Sequence, residues 1–201
     1  MPDVTVYLVR HAAPRLNWPT PYNEPPGPPL SDLGRRQAAE LAGFLAARGV
    51  TVVCASTFAR AHETAEVVAA RAGCRLVLWP DLREREPGES KVAQRTRVQR
   101  GWQAICALAH QGPVAVVTHG TPAKLLLHAL NDGRVDLSQY VFDYDNPLPP
   151  GGAWHAQRRG ERWDLALVFQ PTEQLHEENL TRDGRAFGAT VENVNLLDKL
   201  E

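Results

Sequence analysis

Strong charge of one sign is missing from this 201-residue chain: 22 lysines and arginines stand against 23 aspartates and glutamates, a formal net charge of −1. That balance argues against bulk attraction to nucleic acid or to acidic membrane surfaces. Long hydrophobic runs are absent as well. No apolar stretch reaches the roughly 18 residues of a spanning helix, and Met1-Pro2-Asp3 leads into a short apolar run without the basic region that opens a signal peptide. A cytoplasmic location is the expectation. Cysteine is scarce: Cys54, Cys74 and Cys106 are odd in number and form no C-x-x-C pair, which leaves them as reduced core thiols and removes a structural zinc site. G-x-x-x-x-G-K-[ST], G-x-G-x-x-G and G-x-S-x-G are all missing, so ATP, dinucleotide and serine-hydrolase readings fall away.

What is present is a set of short apolar runs that end in reactive residues. Val4 to Val9 reads as a central strand of a parallel sheet, buried on both faces, and Arg10-His11-Ala12 follows it directly. In such sheets reactive groups gather at the carboxyl ends of the strands. A second run, Val50 to Cys54, precedes Ser56 and Arg60 and a helical stretch through Ala72; a third, Val114 to Val117, opens into Thr118-His119-Gly120-Thr121-Pro122. Thr121 as N-cap with Pro122 at the first helical position is a helix-start signal. Two arginines and two histidines therefore converge near helix N-termini, whose free N–H groups favour an anion, and the anion that suits them is a phosphate.

Leu82-Arg83-Glu84-Arg85-Glu86-Pro87-Gly88 forms a charged loop after the strand Leu76 to Trp79. A carboxyl group beside a phosphate pocket can protonate a leaving oxygen. Glu84 is the choice, two residues after the anchoring Leu82, whereas Glu86 precedes a Pro-Gly turn that points outward.

Helices are expected at Leu33 to Arg48, His62 to Ala72, Val92 to His110 and Pro122 to Leu130. Strands alternating with them give a three-layer α/β/α sandwich around a mainly parallel sheet, with the whole chain, 1–201, as one domain. The segment from Pro14 to Pro29 holds seven prolines in 16 residues and cannot be helix or central strand; it reads as a stiff wall beside His11. A late hairpin is expected from Gly152 to Gln157 and Trp163 to Phe169, and the last thirty residues, apolar at Val194 to Leu197, as a docking tail.

Two rival chemistries have partial signals. Cys54 and Arg60 match the C-x5-R spacing of cysteine phosphatases, but Ala55-Ser56-Thr57-Phe58-Ala59 has no glycine to let backbone amides cradle an anion. Asp143-Tyr144-Asp145 resembles the paired aspartates of magnesium-dependent phosphatases, but no run of four apolar residues precedes it, and it reads as an acidic turn.

With these residues in hand, the chain resembles the histidine phosphatase superfamily, the phosphoglycerate mutase-like fold, from about Val4 to Asp132. The matching pieces are Leu8-Val9-Arg10-His11, Pro29 to Ala38, Ser56 to Thr64, Leu82-Arg83-Glu84 and Thr118-His119-Gly120. Ala12 departs from the family's usual glycine, which bears on the shape of the pocket. The resemblance implies phosphoryl transfer through a phosphohistidine: His11 as nucleophile, Glu84 as acid and base, and His119, Arg10 and Arg60 on the phosphoryl oxygens. Asn17, six residues after His11, falls where the family often has a phosphate-pocket asparagine. No cofactor and no metal are expected, and the partners expected are a small phosphorylated substrate and, as an assembly, a homodimer. The outcome stays open among phosphatase, mutase and protein phosphohistidine phosphatase; only 34 residues separate Glu84 from His119, little room for the capping insertion of the family's sugar-phosphate mutases. A phosphoanion-binding module without turnover is the alternative of another class.

Overall fold

In a computed structural model, which describes residues 3–174, the described residues fold as six strands and four α-helices. The strands are β1 (Val4–Arg10), β2 (Val52–Ala55), β3 (Arg75–Leu78), β4 (Val114–Thr118), β5 (Ala153–Arg159) and β6 (Arg162–Phe169). The helices are α1 (Asp32–Ala46), α2 (Ala59–Ala72), α3 (Lys91–Leu108) and α4 (Gly120–Leu130). Of the last thirty residues, expected as a docking tail, those from 175 onward lie outside the described residues.

The strands form one sheet in the order β3-β2-β4-β1-β5-β6. β1 runs parallel to β4, and β2 parallel to both β4 and β3, whereas β5 and β6 are antiparallel. The sheet is thus mixed and mostly parallel: β1, expected inside a parallel sheet, has a parallel neighbour on one side and the antiparallel β5 on the other. β5 and β6 form an antiparallel hairpin that ends the sheet on this side, with β5 laid antiparallel beside β1.

β2 and β4 are buried along their whole length, and β1 at six of seven positions. Alternate residues of each go to opposite faces. Val6, Leu8, Cys54, Val114 and Val116 pack with Val98, Trp102 and Ile105 of α3 and Leu126 and Leu127 of α4. Tyr7, Val9, Val53, Ala115 and Val117 pack with Leu41 and Leu45 of α1 and Ala61, Ala65 and Val68 of α2. Two helices on each face give the three-layer α/β/α sandwich, and burial on both faces explains why the strand sequences are continuous apolar runs. All four parallel strands end at one edge, so the segments that follow β1, β2, β3 and β4 share a single rim.

Two helix starts differ from expectation. α4 begins at Gly120 with His119 in the N-cap position, so Thr121 and Pro122 sit inside the first turn; proline is tolerated there because the first N–H groups of a helix have no partner within it. α2 begins at Ala59, three residues before His62, with Phe58 as a cap whose side chain makes no capping bond. The proline-rich segment supplies the missing acceptor: Ala59 N donates to Pro26 O at 2.8 Å.

Candidate active site

The turn after β1 is pinned at each residue. His11 N donates to Thr118 O at 2.9 Å, which extends the β1–β4 ladder by one residue. Ala12 N donates to Thr64 Oγ1 at 3.1 Å and Ala13 N to Gln37 Oε1 at 2.9 Å. Ala13 O accepts from both Ser31 N and Ser31 Oγ at 3.0 Å, while the same Ser31 Oγ caps α1 by accepting from Gly34 N. Gly34 lies so close that a Cβ there would stand 2.0 Å from Ala13 O. Ser31, Gly34, Gln37 and Thr64 thus explain why the segments around residues 29–38 and 56–64 accompany Arg10-His11. They are supports for the turn, a role the sequence reading missed although it had singled out their segments. Ala12 needs no glycine: it is not among the residues with positive φ, and its methyl group joins Leu30 and Ala38 in a small apolar cluster.

His11 is buried, and its Nδ1 lies 2.8 Å from Ala12 O. A carbonyl oxygen can only accept, so the hydrogen-bond network assigns the ring hydrogen to Nδ1 and the lone pair to Nε2. Arg60 Nε donates to that Nε2 at 3.2 Å. The His119 ring lies 5.1 Å from the His11 ring, centroid to centroid, and its Nε2 shares a 2.7 Å hydrogen bond with Ser56 Oγ. Ser56 Oγ also accepts from Phe58 N; with the serine hydroxyl hydrogen given to His119 Nε2, Nδ1 carries the hydrogen of that ring. Burial, and then the charges of Arg60 and Arg10, push the His11 pKa well below the usual histidine value. For His119 burial is again the largest cause, followed by Arg60. Both rings are therefore neutral at neutral pH.

Arg10 Nε, Arg60 Nη2 and His119 Nδ1 are buried with no hydrogen-bond partner. Buried donors left this way are costly and call for an explanation. An anion bound in front of His11 Nε2 supplies one, since all three belong to residues placed around that ring. The proline-rich segment does form a wall here: the Arg60 guanidinium lies 4.1 Å over the Tyr22 ring, and its Nη1 donates to Tyr22 O at 3.0 Å.

Glu84 reaches the same rim. Its Oε1 accepts from Arg85 N at 2.9 Å and Gln94 Nε2 at 3.1 Å, and its Oε2 from Thr121 N, in the first turn of α4, at 3.2 Å. It acts electrostatically on both Arg10 and Arg60. The neighbouring carboxylates are engaged elsewhere: Glu86 pairs with Arg83, and Glu89 with Arg97. Arg97 shapes the loop, donating from Nη1 to Asp81 O and Arg83 O and from Nη2 to Glu84 O. Thr118 Oγ1 donates to Leu82 O at 2.6 Å and ties the loop to the end of β4.

Three expectations change. Asn17 is exposed with φ 55°, and among the described residues no hydrogen bond joins it to His11, Arg10, Arg60 or His119; the prolines around it hold its segment to a path that leaves its side chain in solvent. Asp143 is more than part of an acidic turn, because its carboxylate binds Arg10 Nη1 and Nη2 at 2.5 and 2.6 Å. Cys54 does not end its strand but lies within β2, facing α3 and α4 in the core, and burial raises its pKa to about 12, so no thiolate is on offer. Cys106 is buried too, whereas Cys74 is only half-buried. Among the described residues no three His, Cys, Asp or Glu side chains gather so as to hold a metal ion, and no helix is long and apolar enough to cross a membrane.

A sequence profile of the histidine phosphatase superfamily (branch 1) matches residues 6–91 and 84–147. Among curated proteins, a probable phosphoglycerate mutase GpmB of Cronobacter sakazakii is 37% identical over 83 residues, 41% of this chain and 39% of that protein. The probable GpmB of Proteus mirabilis is 30% identical over 146 residues, 71% of this chain and 59% of that protein. The chain thus spans about two-fifths to three-fifths of the length of these relatives. Among solved structures, mycobacterial glucosyl-3-phosphoglycerate phosphatase is similar with a TM-score of 0.64 at 21% identity, over 82% of this chain and 98% of that one. A putative alpha-ribazole-5'-P phosphatase from Escherichia coli gives 0.66 at 20% identity, over 83% and 97%. These likenesses carry the fold, and the profile, which extends over most of the chain, carries the family: the protein belongs to branch 1 of the histidine phosphatase superfamily.

Proposed function

We propose that this chain, read as one domain, is a metal-independent phosphomonoesterase that acts on a small phosphorylated substrate through a phosphohistidine at His11. The observation that carries the reading is the arrangement of His11: a neutral ring, its Nδ1–H locked on Ala12 O, its Nε2 lone pair facing Arg60, and three unpartnered buried donors of Arg10, Arg60 and His119 around it. Guanidinium groups suit this task because they stay charged and bind two oxygens at once.

In the resting site the Nε2 lone pair is occupied by Arg60 Nε–H. A phosphoryl group entering between them draws that N–H onto one of its oxygens, which frees the lone pair for in-line attack on phosphorus. The P–O bond to the leaving alcohol breaks as the N–P bond forms, and Glu84 gives the departing oxygen its proton. Water then attacks phosphorus, Glu84 takes back a proton from that water, and the N–P bond breaks to release phosphate and neutral His11. His119 Nδ1–H and Arg10 stabilise the charge on the equatorial oxygens, a contribution for which loss of one preorganised donor costs roughly 3 kcal/mol or more in the transition state.

Hydrolysis of p-nitrophenyl phosphate in EDTA, inhibited by vanadate, is the test. Activity that vanishes with EDTA and returns with magnesium contradicts the proposal. Tight vanadate binding without turnover supports a binding module instead. A second reading, transfer of a phosphoryl group between positions of one substrate, draws support from the GpmB relatives, which are named probable phosphoglycerate mutases. Isomerised phosphoester appearing in place of inorganic phosphate would favour it.

A further inference from the structure

We infer that Asp143 is a positioning residue for Arg10, a role that rests on the function proposed above: it fixes the guanidinium so that one edge faces the phosphoryl site. A guanidinium has five N–H groups, one on Nε and two on each terminal nitrogen. Arg10 Nη1 donates to Asp143 Oδ1 at 2.5 Å and to Leu148 O at 3.1 Å, and Nη2 to Asp143 Oδ2 at 2.6 Å. The end-on fork is thereby taken. What is left is the side edge, Nε–H together with the second hydrogen of Nη2, and Nε is the buried nitrogen without a partner. A carboxylate and a phosphoryl group can use one guanidinium at once when they take different edges, and here the edges are already divided.

The pair is built into the fold from both sides. Its side chains are 8% and 10% exposed, so neither is a mobile surface group. Burial is the largest influence and opposes the charged form of Arg10, but Asp143, with Tyr22 and Glu84 behind it, holds the guanidinium more firmly protonated than an ordinary arginine. Asp143 opens a turn in which Tyr144 and Asp145 take φ of 56° and 52°, a conformation that L-residues adopt rarely and that persists when its surroundings determine it. They do so here: Lys124 Nζ donates to Asp145 O at 2.8 Å, Phe142 N to Asn146 O at 3.0 Å and Trp154 Nε1 to Pro147 O at 2.8 Å. On the other side of the guanidinium, Gly120 comes so near that a Cβ there would stand 3.5 Å from Arg10 Cζ and Nε and 2.8 Å from Asn146 Nδ2. Asp143 thus holds the end of the guanidinium, and Gly120 lies close to its Cζ and Nε.

The opposite role, an internal anion that a substrate must displace from Arg10, predicts effects of opposite sign. The test is Asp143→Asn and Asp143→Ala, assayed for steady-state turnover of p-nitrophenyl phosphate and, in parallel, for binding of vanadate by calorimetry. Since losing one preorganised donor costs about 10²–10³ in kcat, mis-aiming it should lower kcat at least tenfold, with vanadate weakened by a similar factor. Tighter vanadate binding and raised kcat/KM overturn the inference in favour of a competitor. A lowered Tm with unchanged kinetics and vanadate affinity, at a temperature where the variants are folded, overturns it in favour of a purely structural pair. If the wild-type protein turns nothing over, the proposed function fails, yet vanadate binding by wild type and variants still decides the role of Asp143. A wild type that binds no vanadate contradicts both.

Discussion

Lowering the pH from 7 to 5 should destabilise this fold through two rings in particular. His11 and His119 are buried, and burial together with Arg60 and Arg10 holds both pKa values well below the ordinary one. A histidine whose folded-state value lies below its unfolded value binds its proton more readily in the unfolded chain. Its stabilising contribution is therefore complete above the unfolded value near 6.5 and is lost as the pH falls through it, until the folded-state value is reached. A ring that stayed neutral in the folded state over this whole window would lose at most about 2 kcal/mol between pH 7 and 5. Against a typical total of roughly 5–15 kcal/mol, that is a large fraction. Urea unfolding of wild type and of the His11→Gln/His119→Gln double variant, at half-unit steps of pH, isolates the two rings because both proteins share every other histidine. The wild-type curve should fall more steeply below about pH 6.5 than the variant's. Parallel curves would refute the claim that the site keeps both rings neutral.

Gly34→Ala forces a methyl group against the Ala13 carbonyl, a backbone group held by two hydrogen bonds from Ser31, so it should cost about 2 kcal/mol or more in urea unfolding; Gly120→Ala meets the Asn146 side chain and Arg10 at longer range, so its loss should appear in kcat/KM more than in stability. Cys54→Ala should keep most of the turnover, and iodoacetamide at pH 8 should leave wild type active, because the thiol with its pKa raised to about 12 offers almost no thiolate; inactivation that tracks Cys54 alkylation would reopen the cysteine mechanism. Glu84→Gln should slow single-turnover phosphorylation by an alkyl phosphate about 10²- to 10⁴-fold while sparing p-nitrophenyl phosphate, whose phenol leaves without a proton; if Glu86→Gln shows that pattern instead, the acid is misassigned.

The parallel core was readable because both faces of β1, β2 and β4 are buried, so their sequences carry continuous apolar runs, and the residues just past those runs must lie on one rim. His11, Arg60 and His119 stand just past those runs, whereas Glu84 follows β3, which is not buried on both faces. The supports of the site were not readable, because Ser31, Gln37, Thr64 and Arg97 act through hydrogen bonds to backbone atoms that leave no periodic trace. Asp143 was misread for a related reason: its partner Arg10 is 133 positions away, and a short acidic turn looks the same in sequence whether its carboxylate meets solvent or a buried guanidinium. Asn17 shows the reverse error, since a spacing count does not see that the backbone around a run of prolines carries the side chain outward. The start of α4 shifted to Gly120 because the cap there is a residue of the site, His119, and not the stronger capping residue Thr121.

The central claim is that His11 Nε2 carries the phosphoryl group. Brief incubation with a phosphorus-labelled phosphomonoester, base quench and peptide mapping tests it most directly. The account predicts a label on the peptide containing His11, stable in base, lost in mild acid and absent from His11→Ala. A label that survives acid, that sits on the Cys54 peptide, or that persists in His11→Ala would contradict it.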